Sequence, residues 1–224
     1  MTASSDAVGK IKTAVITGHH PYDVVNLQRL FRGIVEIDAY PQNMEDFVTD
    51  TGHGPSGYDV VVFYNYHLPT PGGDEDALSS ETRAALDGLA KSGAGILLLH
   101  HAILAYPEWQ LWSDIAGIPE RRAAGSDVQQ RVRMGIAVSD HPITAGLEPW
   151  EIVDETYDMN DASEGCEVLL TTGHPRSMRT IAWTREHNGA RVFCYQSGHD
   201  DLAFDNPSFR IVLSRGIQWL AGRI

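Results

Sequence analysis

The sequence predicts an α/β domain in which helices cover both faces of a mostly parallel sheet that ends in an antiparallel edge. Three observations predict it. Through the first half of the chain, short β-branched apolar runs alternate with segments of helical periodicity. Two of these runs, Val60 to Tyr64 and Gly95 to Leu99, are continuously apolar, as strands buried on both faces are. In the second half, short strand-like runs follow one another through turn residues, which argues for antiparallel pairing.

Taken in order, Thr13 to Thr17 is a first strand that ends at Gly18. Pro21 sits where a first-turn proline belongs, and Val24, Leu27, Leu30 and Phe31 recur at helical spacing before Gly33. Val35 to Ala39 reads as the second strand and Val60 to Tyr64 as the third. Ser79 is placed to cap a helix through Leu89, with Leu86, Leu89 and Ala90 on one face and Gly93 beyond its end; Gly95 to Leu99 then forms the fourth strand. Right-handed crossovers between parallel strands make the sheet doubly wound. Pro107 opens a helix that carries Trp109, Leu111, Trp112 and Ile115 and stops at Gly117. Ile136 to Val138, Val168 to Thr171 and Ile181 to Trp183 are short strands, and Asn188-Gly189 turns the chain into Arg191 to Tyr195 because that pair accepts positive φ. Pro207 starts the last helix, lined by Phe209, Leu213, Ile217 and Leu220 and followed by Gly222. Gly52 to Gly57 and Pro69 to Gly73 are surface loops.

At 224 residues the chain suits one domain, 1–224, with residues 1–10 as a polar, flexible leader. Seventeen basic against thirty acidic residues give a net charge of -13, and the densest basic stretch, Arg121, Arg122, Arg131 and Arg133, is short and broken, so nucleic acid is not a partner. The polar start lacks the apolar run of a signal peptide and later apolar runs are too short to cross a bilayer, which gives a cytoplasmic location and no membrane partner. Cys166 and Cys194 are too few for a disulfide framework and suit a reducing compartment as small buried hydrophobes.

In open parallel sheets ligands bind beyond the carboxyl ends of the strands. Six of the ten histidines fall there: His19 and His20 after the first strand, His67 after the third, His100 and His101 after the fourth, and His199 before Asp200 after the hairpin strand. Such a cluster has two uses. Imidazole suits general acid and base work near neutral pH. With a carboxylate it also binds a divalent transition metal such as zinc, for which His20, His100, His101, His199, Asp200, Asp154 and Glu155 are candidates, although no HxxxH or HExxH spacing is present. If the fourth strand continued, adjacent His100 and His101 would point to opposite faces, so one would reach the pocket and the other pack. Asp154 and Glu155, in VDETY, can hold a ligand's hydroxyls or orient a histidine, while a solvated turn explains the spacing equally well. Tyr22, Tyr106, Trp109 and Trp112 border the expected pocket and can stack on a sugar ring, with Trp112 reading as core. His53, His174 and His187 read as surface residues.

The missing motifs narrow the chemistry. Without a G-x-S-x-G or G-x-C-x-G elbow there is no seat for a serine or thiol nucleophile, and Gly18-His19-His20-Pro21 after the first strand is neither a dinucleotide nor a Walker A loop. The ordered set Thr17 to His20 (TGHH), Gly95 to Ala102 (GILLLHHA), Asp140 to Thr144 (DHPIT) with Gly146 and Leu147, Asp154 to Tyr157 (DETY), Ala182-Trp183, and Gly198 to Asp200 (GHD) with Phe204 resembles the ThuA-like, or trehalose utilisation, family nearly end to end. That resemblance implies the flavodoxin-like three-layer sandwich of class I glutamine amidotransferases. The amidotransferase elbow would fall at the end of Leu97 to His101, where His100 or His101 replaces cysteine, so a cysteine-dependent amidotransferase is not expected. Its triad histidine would match His199, with Asp200 one residue earlier than the usual second carboxylate.

The family's link to disaccharide use and 3-keto glycosides implies a small carbohydrate partner that is keto or hydroxyl-rich. The expectation is therefore an enzyme acting on a disaccharide or keto-sugar derivative by proton transfer, with lyase, isomerase and hydrolase all open. His199 would be base or acid, His100 or His101 would polarise oxygen, and His19, His20, Tyr22, His67, Tyr106, Trp109, Asp154, Glu155 and Asp200 would hold substrate. The alternatives are a non-catalytic carbohydrate binder and a metal-dependent hydrolase with zinc on His20, His101 and His199. Assembly into a homo-oligomer stays open.

Overall fold

Strands β1 (Ile11–Gly18), β3 (Val60–Asn65) and β4 (Gly95–Leu99) are buried along nearly their whole length, and each runs parallel to its neighbours within a nine-stranded sheet. A computed structural model describes residues 9–49, 57–72 and 77–224. The leader at 1–8, the first loop at 52–56 with His53, and the end of the second loop at residue 73 lie outside the described residues. The remaining strands are β2 (Ile37–Asn43), β5 (Gly125–Ile136), β6 (Trp150–Asp158), β7 (Glu167–Thr171), β8 (Thr180–His187) and β9 (Ala190–Tyr195), in the sheet order β2-β1-β3-β4-β9-β8-β7-β5-β6. The first five in that order are parallel and the other four pair antiparallel.

Alternating side chains send the apolar content of the central strands into two cores, one on each face. Val60, Val62 and Tyr64 pack with Leu27, Leu30 and Phe31 of α1 (Val24–Arg32), Phe204 of α5 (Asp201–Phe204), and Phe209, Leu213 and Ile217 of α6 (Pro207–Leu220). Val61 and Phe63 pack the other way, with Phe47 of α2 (Met44–Thr49), Leu86 and Leu89 of α3 (Ala77–Leu89), and Trp112 and Ile115 of α4 (Gln110–Ala116). No helix among the described residues is long and apolar enough to cross a membrane.

Several boundaries differ from the sequence reading for local reasons. Helix α1 is capped by Asp23, whose carboxylate accepts the Asn26 N–H at 3.0 Å, so Pro21 lies outside it. Val35 is 72% exposed, and the second strand starts at Ile37, where burial resumes. Ser79 falls inside α3, which begins at Ala77, and Pro107 precedes α4, which starts after Trp109 and ends at left-handed Gly117. The strand expected from Ile136 to Val138 is instead the end of β5, which runs from Gly125 to Ile136 and forms a long hairpin with β6, so VDETY is strand and largely buried, not a solvated turn. Asn188 and Gly189 do make the β8–β9 turn, with φ of 50° and 86°.

Candidate active site at the strand ends

The fourth strand stops at Leu99, and the chain enters a 3₁₀ turn over His100–Leu104 with His100 held at φ 55°. A left-handed non-glycine residue at the point where a strand turns into a helix is a strained elbow that projects its side chain over the sheet edge. Here that side chain is an imidazole, fully buried. Its Nδ1 lies 2.8 Å from the Gln196 carbonyl, which can only accept, so Nδ1 carries hydrogen and Nε2 is the nitrogen that faces the site. That nitrogen is 3.1 Å from Glu155 Oε2, 3.3 Å from His199 Nδ1 and 2.9 Å from the Tyr157 hydroxyl.

Glu155 Oε2 is the hub: His199 Nδ1 is 3.0 Å from it and the Tyr157 O–H donates to it at 3.1 Å. Burial pushes the Glu155 carboxyl up, but hydrogen bonds from His100 and His199 outweigh it and hold the group well below the usual carboxylate range. The bond to Glu155 raises His199, against the opposing effect of burial. Burial, reinforced by Glu155, pushes the Tyr157 phenol well above its ordinary value, so it remains a donor. Strand β6 carries Glu155 and Tyr157 two residues apart on one face, and the β5 bulge between Asp127 and Gln130, with Gln129 at φ 55°, lies opposite Glu155.

Asp154 points the other way and does different work. It is 2% exposed, and its Oδ1 accepts the N–H groups of Glu155 at 2.9 Å and His199 at 3.0 Å while Oδ2 accepts that of Gly198 at 2.8 Å. One carboxylate therefore ties β6 to the loop after β9. Gln196 adds a second tie, donating from Nε2 to the Glu155 carbonyl at 2.8 Å. The Tyr64 hydroxyl adds a third, donating to the Gly198 carbonyl at 2.9 Å.

Beside this cluster lies a cavity of about 300 Å³ lined by His20, Tyr66, His101, Leu104, Ser126, Glu155 and Tyr157 among others. His101 donates from Nε2 to the Tyr64 carbonyl at 3.2 Å, which leaves Nδ1 as a bare acceptor, buried and without a partner. Burial, then the neighbouring His100, drives its pKa down to about 2, so the ring is uncharged. His20 stacks on it with centroids 4.5 Å apart, and its own Nδ1 is also unpaired.

Of the residues singled out from sequence, His20, His100, His101, Glu155 and His199 come together here. Both members of the His100-His101 pair reach the site, because the strand ends before them and the turn sets their rings 5.1 Å apart. Several expected substrate contacts are corrected. Asp154 is engaged with backbone, and Asp200 caps α5 by accepting the Leu202 N–H at 3.0 Å. Tyr106 and Trp109 are 1% and 5% exposed and pack with Trp112 in the core. The Tyr22 hydroxyl donates to Thr17 at 3.2 Å. His19 and His67 stack on each other at 3.8 Å beside Glu45 and are not among the residues that line the cavity. The metal candidates His20, His101 and His199 do not form one set of converging ligand atoms; among the residues named as metal candidates, the set that converges is His100, Glu155 and His199. His174 and His187 are half-buried rather than fully exposed. Tyr157 and Gln196 were not singled out as site residues, yet Tyr157 follows Glu155 at the two-residue period of a strand face, which was the available signal.

A 2-1-3-4 parallel order continued by the strand before His199, with a strained elbow at the end of the fourth strand, defines an α/β domain with the flavodoxin-like fold that class I glutamine amidotransferases also adopt. The chain belongs to the ThuA, or trehalose utilisation, family, whose model matches residues 36–220. A ThuA-like protein from Parabacteroides merdae shares the fold at a TM-score of 0.74 and 21% identity, over 96% of this chain and 91% of that one. A cytoplasmic protein from Salmonella typhimurium superposes at 0.64 with 13% identity, covering 94% and 99% of the two chains. A protein described as a GMP synthase component, from Thermoplasma acidophilum, superposes at 0.57 with 9% identity, covering 96% of each. These likenesses bear on the fold. Among curated proteins nothing matches the chain significantly.

Proposed function

We propose that this protein is an enzyme of sugar metabolism that acts on a disaccharide or keto-sugar derivative by proton transfer in the cavity at the strand ends. The observation that carries the reading is His101 Nδ1, a buried lone pair without a partner at the wall of a polar cavity. Leaving such an acceptor unpaired costs about 1–3 kcal/mol, a cost removed when a ligand brings it a hydrogen bond. His20 Nδ1, the other unpaired imidazole nitrogen of the cavity, takes the proton from the carbon beside the sugar carbonyl, and the C–H electron pair moves onto the carbonyl oxygen. The Tyr157 O–H, kept protonated by burial, donates to the oxygen on which that charge develops. His101 Nδ1 accepts a substrate hydroxyl alongside. The trehalose utilisation family supplies the substrate class.

The test is incubation with the 3-keto derivative of trehalose in D2O, followed by proton NMR of the position next to the carbonyl. Exchange or product formation is expected in the wild type, falling at least about 100-fold in His20→Gln and unchanged in His174→Gln. Equal rates in wild type and His20→Gln, or no exchange by the wild type, overturn the proposal; affinity without exchange marks a carbohydrate binder instead.

A further inference from the structure

We propose that His100 Nε2, His199 Nδ1 and Glu155 Oε2 form a three-ligand site for a divalent transition metal, zinc being the cation this donor set favours. The inference deepens the function proposed above and rests on that reading for the location of the reactive cavity; its geometry stands independently. The three atoms form a triangle with edges of 3.0, 3.1 and 3.3 Å. Bonds of about 2.0–2.1 Å to nitrogen and oxygen set neighbouring ligand atoms about 2.9–3.4 Å apart, between octahedral and tetrahedral angles. A cation about 2.1 Å from all three atoms would lie about 1 Å out of their plane, with its remaining positions free.

The hydrogen-bonding pattern points the same way. With its Nδ1 hydrogen committed to the Gln196 carbonyl, His100 faces Glu155 Oε2 through Nε2 alone, and whenever that nitrogen carries no hydrogen two lone pairs meet across 3.1 Å, a repulsive pairing that a cation between them relieves. A backbone carbonyl fixing the far nitrogen is also the usual support of a metal-bound imidazole, since it sets the tautomer and the ring plane. Asp154 then acts as a positioning residue, because it holds the backbone N–H groups of both Glu155 and His199 on one buried carboxylate. Tyr157 hydrogen-bonds the ligand oxygen, and Glu155 and Tyr157 line the cavity, so a bound cation borders the space assigned to the sugar. The second histidine and glutamate group, His19, Glu45 and His67, lacks this support: His19 and Glu45 are exposed, and Asn65 Nδ2 occupies His67 Nδ1 at 2.9 Å.

The full chain, stripped with a chelator, is titrated with Zn2+ by calorimetry and with Co2+ by visible absorption. One equivalent at micromolar affinity or tighter is expected, with a cobalt spectrum of nitrogen and oxygen ligands. Affinity falls at least about 100-fold in His199→Ala and about 10-fold or more in Glu155→Gln, and is unchanged in His19→Ala. No binding by the wild type overturns the site, as does binding that survives both ligand substitutions or is lost in His19→Ala. The wild-type titration stands whether or not a variant folds. One equivalent bound by a protein that never exchanges the keto sugar sustains the metal site and removes the proposed function, and exchange without binding does the reverse.

Discussion

Asp154→Asn isolates the tie between β6 and the loop after β9. The native carboxylate accepts three backbone N–H groups at 2.8–3.0 Å in a position that is 2% exposed. Asparagine keeps the shape but has one acceptor oxygen, so its NH2 must face at least one of those donors. A bond to a charged group contributes about 1.5–3 kcal/mol and a neutral one about 1, so the change loses one charged bond and weakens two. Relief from burying a charge offsets part of this, leaving a net loss of about 2–4 kcal/mol. For a chain of this size that corresponds to a Tm lower by about 6–12 °C. Urea and thermal unfolding followed by circular dichroism measure it, and binding in the cavity should weaken as well because Glu155 and His199 lose their shared anchor. A loss below about 0.5 kcal/mol would refute the assignment of Asp154 as a clamp.

Arg121 is 1% exposed and donates to the carbonyls of Ile103, Ala105 and Tyr106 at 2.6–2.9 Å, and to Ser113 at 3.1 Å, with no carboxylate among these partners. Burial lowers its pKa to about 10, still charged at neutral pH, and Arg121→Met should destabilise by about 3–5 kcal/mol in urea unfolding because the carbonyls are left unpaired; a change within 1 kcal/mol counts against that clamp. His67 falls to about 4 by burial and then by neighbouring His19, so the folded state disfavours its proton relative to an unfolded value of about 6.5. Its contribution is therefore complete above pH 6.5 and is lost as the pH falls toward 4. Stability measured across that window should drop less steeply in His67→Gln than in the wild type, and identical slopes exclude the assignment.

The central strands were legible because burial on both faces leaves an unbroken apolar run, as in Val60 to Tyr64 and Gly95 to Leu99. The last helix was legible from Pro207 at its first turn, and the β8–β9 hairpin from two residues that tolerate positive φ. The β5–β6 hairpin was not, because β5 exposes much of both faces and its apolar residues are too sparse to set a period. Missing it hid the strand on which Glu155 and Tyr157 share a face and Asp154 does not. Histidines at the strand ends were visible from the topological rule, but which of them meet depends on the elbow at His100 and on contacts across 96 to 99 residues of chain, which no local spacing encodes. Tyr106 and Trp109 show the opposite failure: aromatic residues beside a pocket in sequence were packed away from it in the core.

The site stands on the convergence of imidazoles from separate strand ends, and their tautomers report on it directly. Long-range 1H–15N NMR of the 15N-labelled chain at neutral pH, after chelator treatment, reads which ring nitrogen carries hydrogen. His101 should show hydrogen on Nε2 and a bare Nδ1, and His100 hydrogen on Nδ1, as their 3.2 Å and 2.8 Å contacts to the Tyr64 and Gln196 carbonyls require. Hydrogen on His101 Nδ1 with a bare Nε2, or averaging of both tautomers as in free solution, contradicts the site.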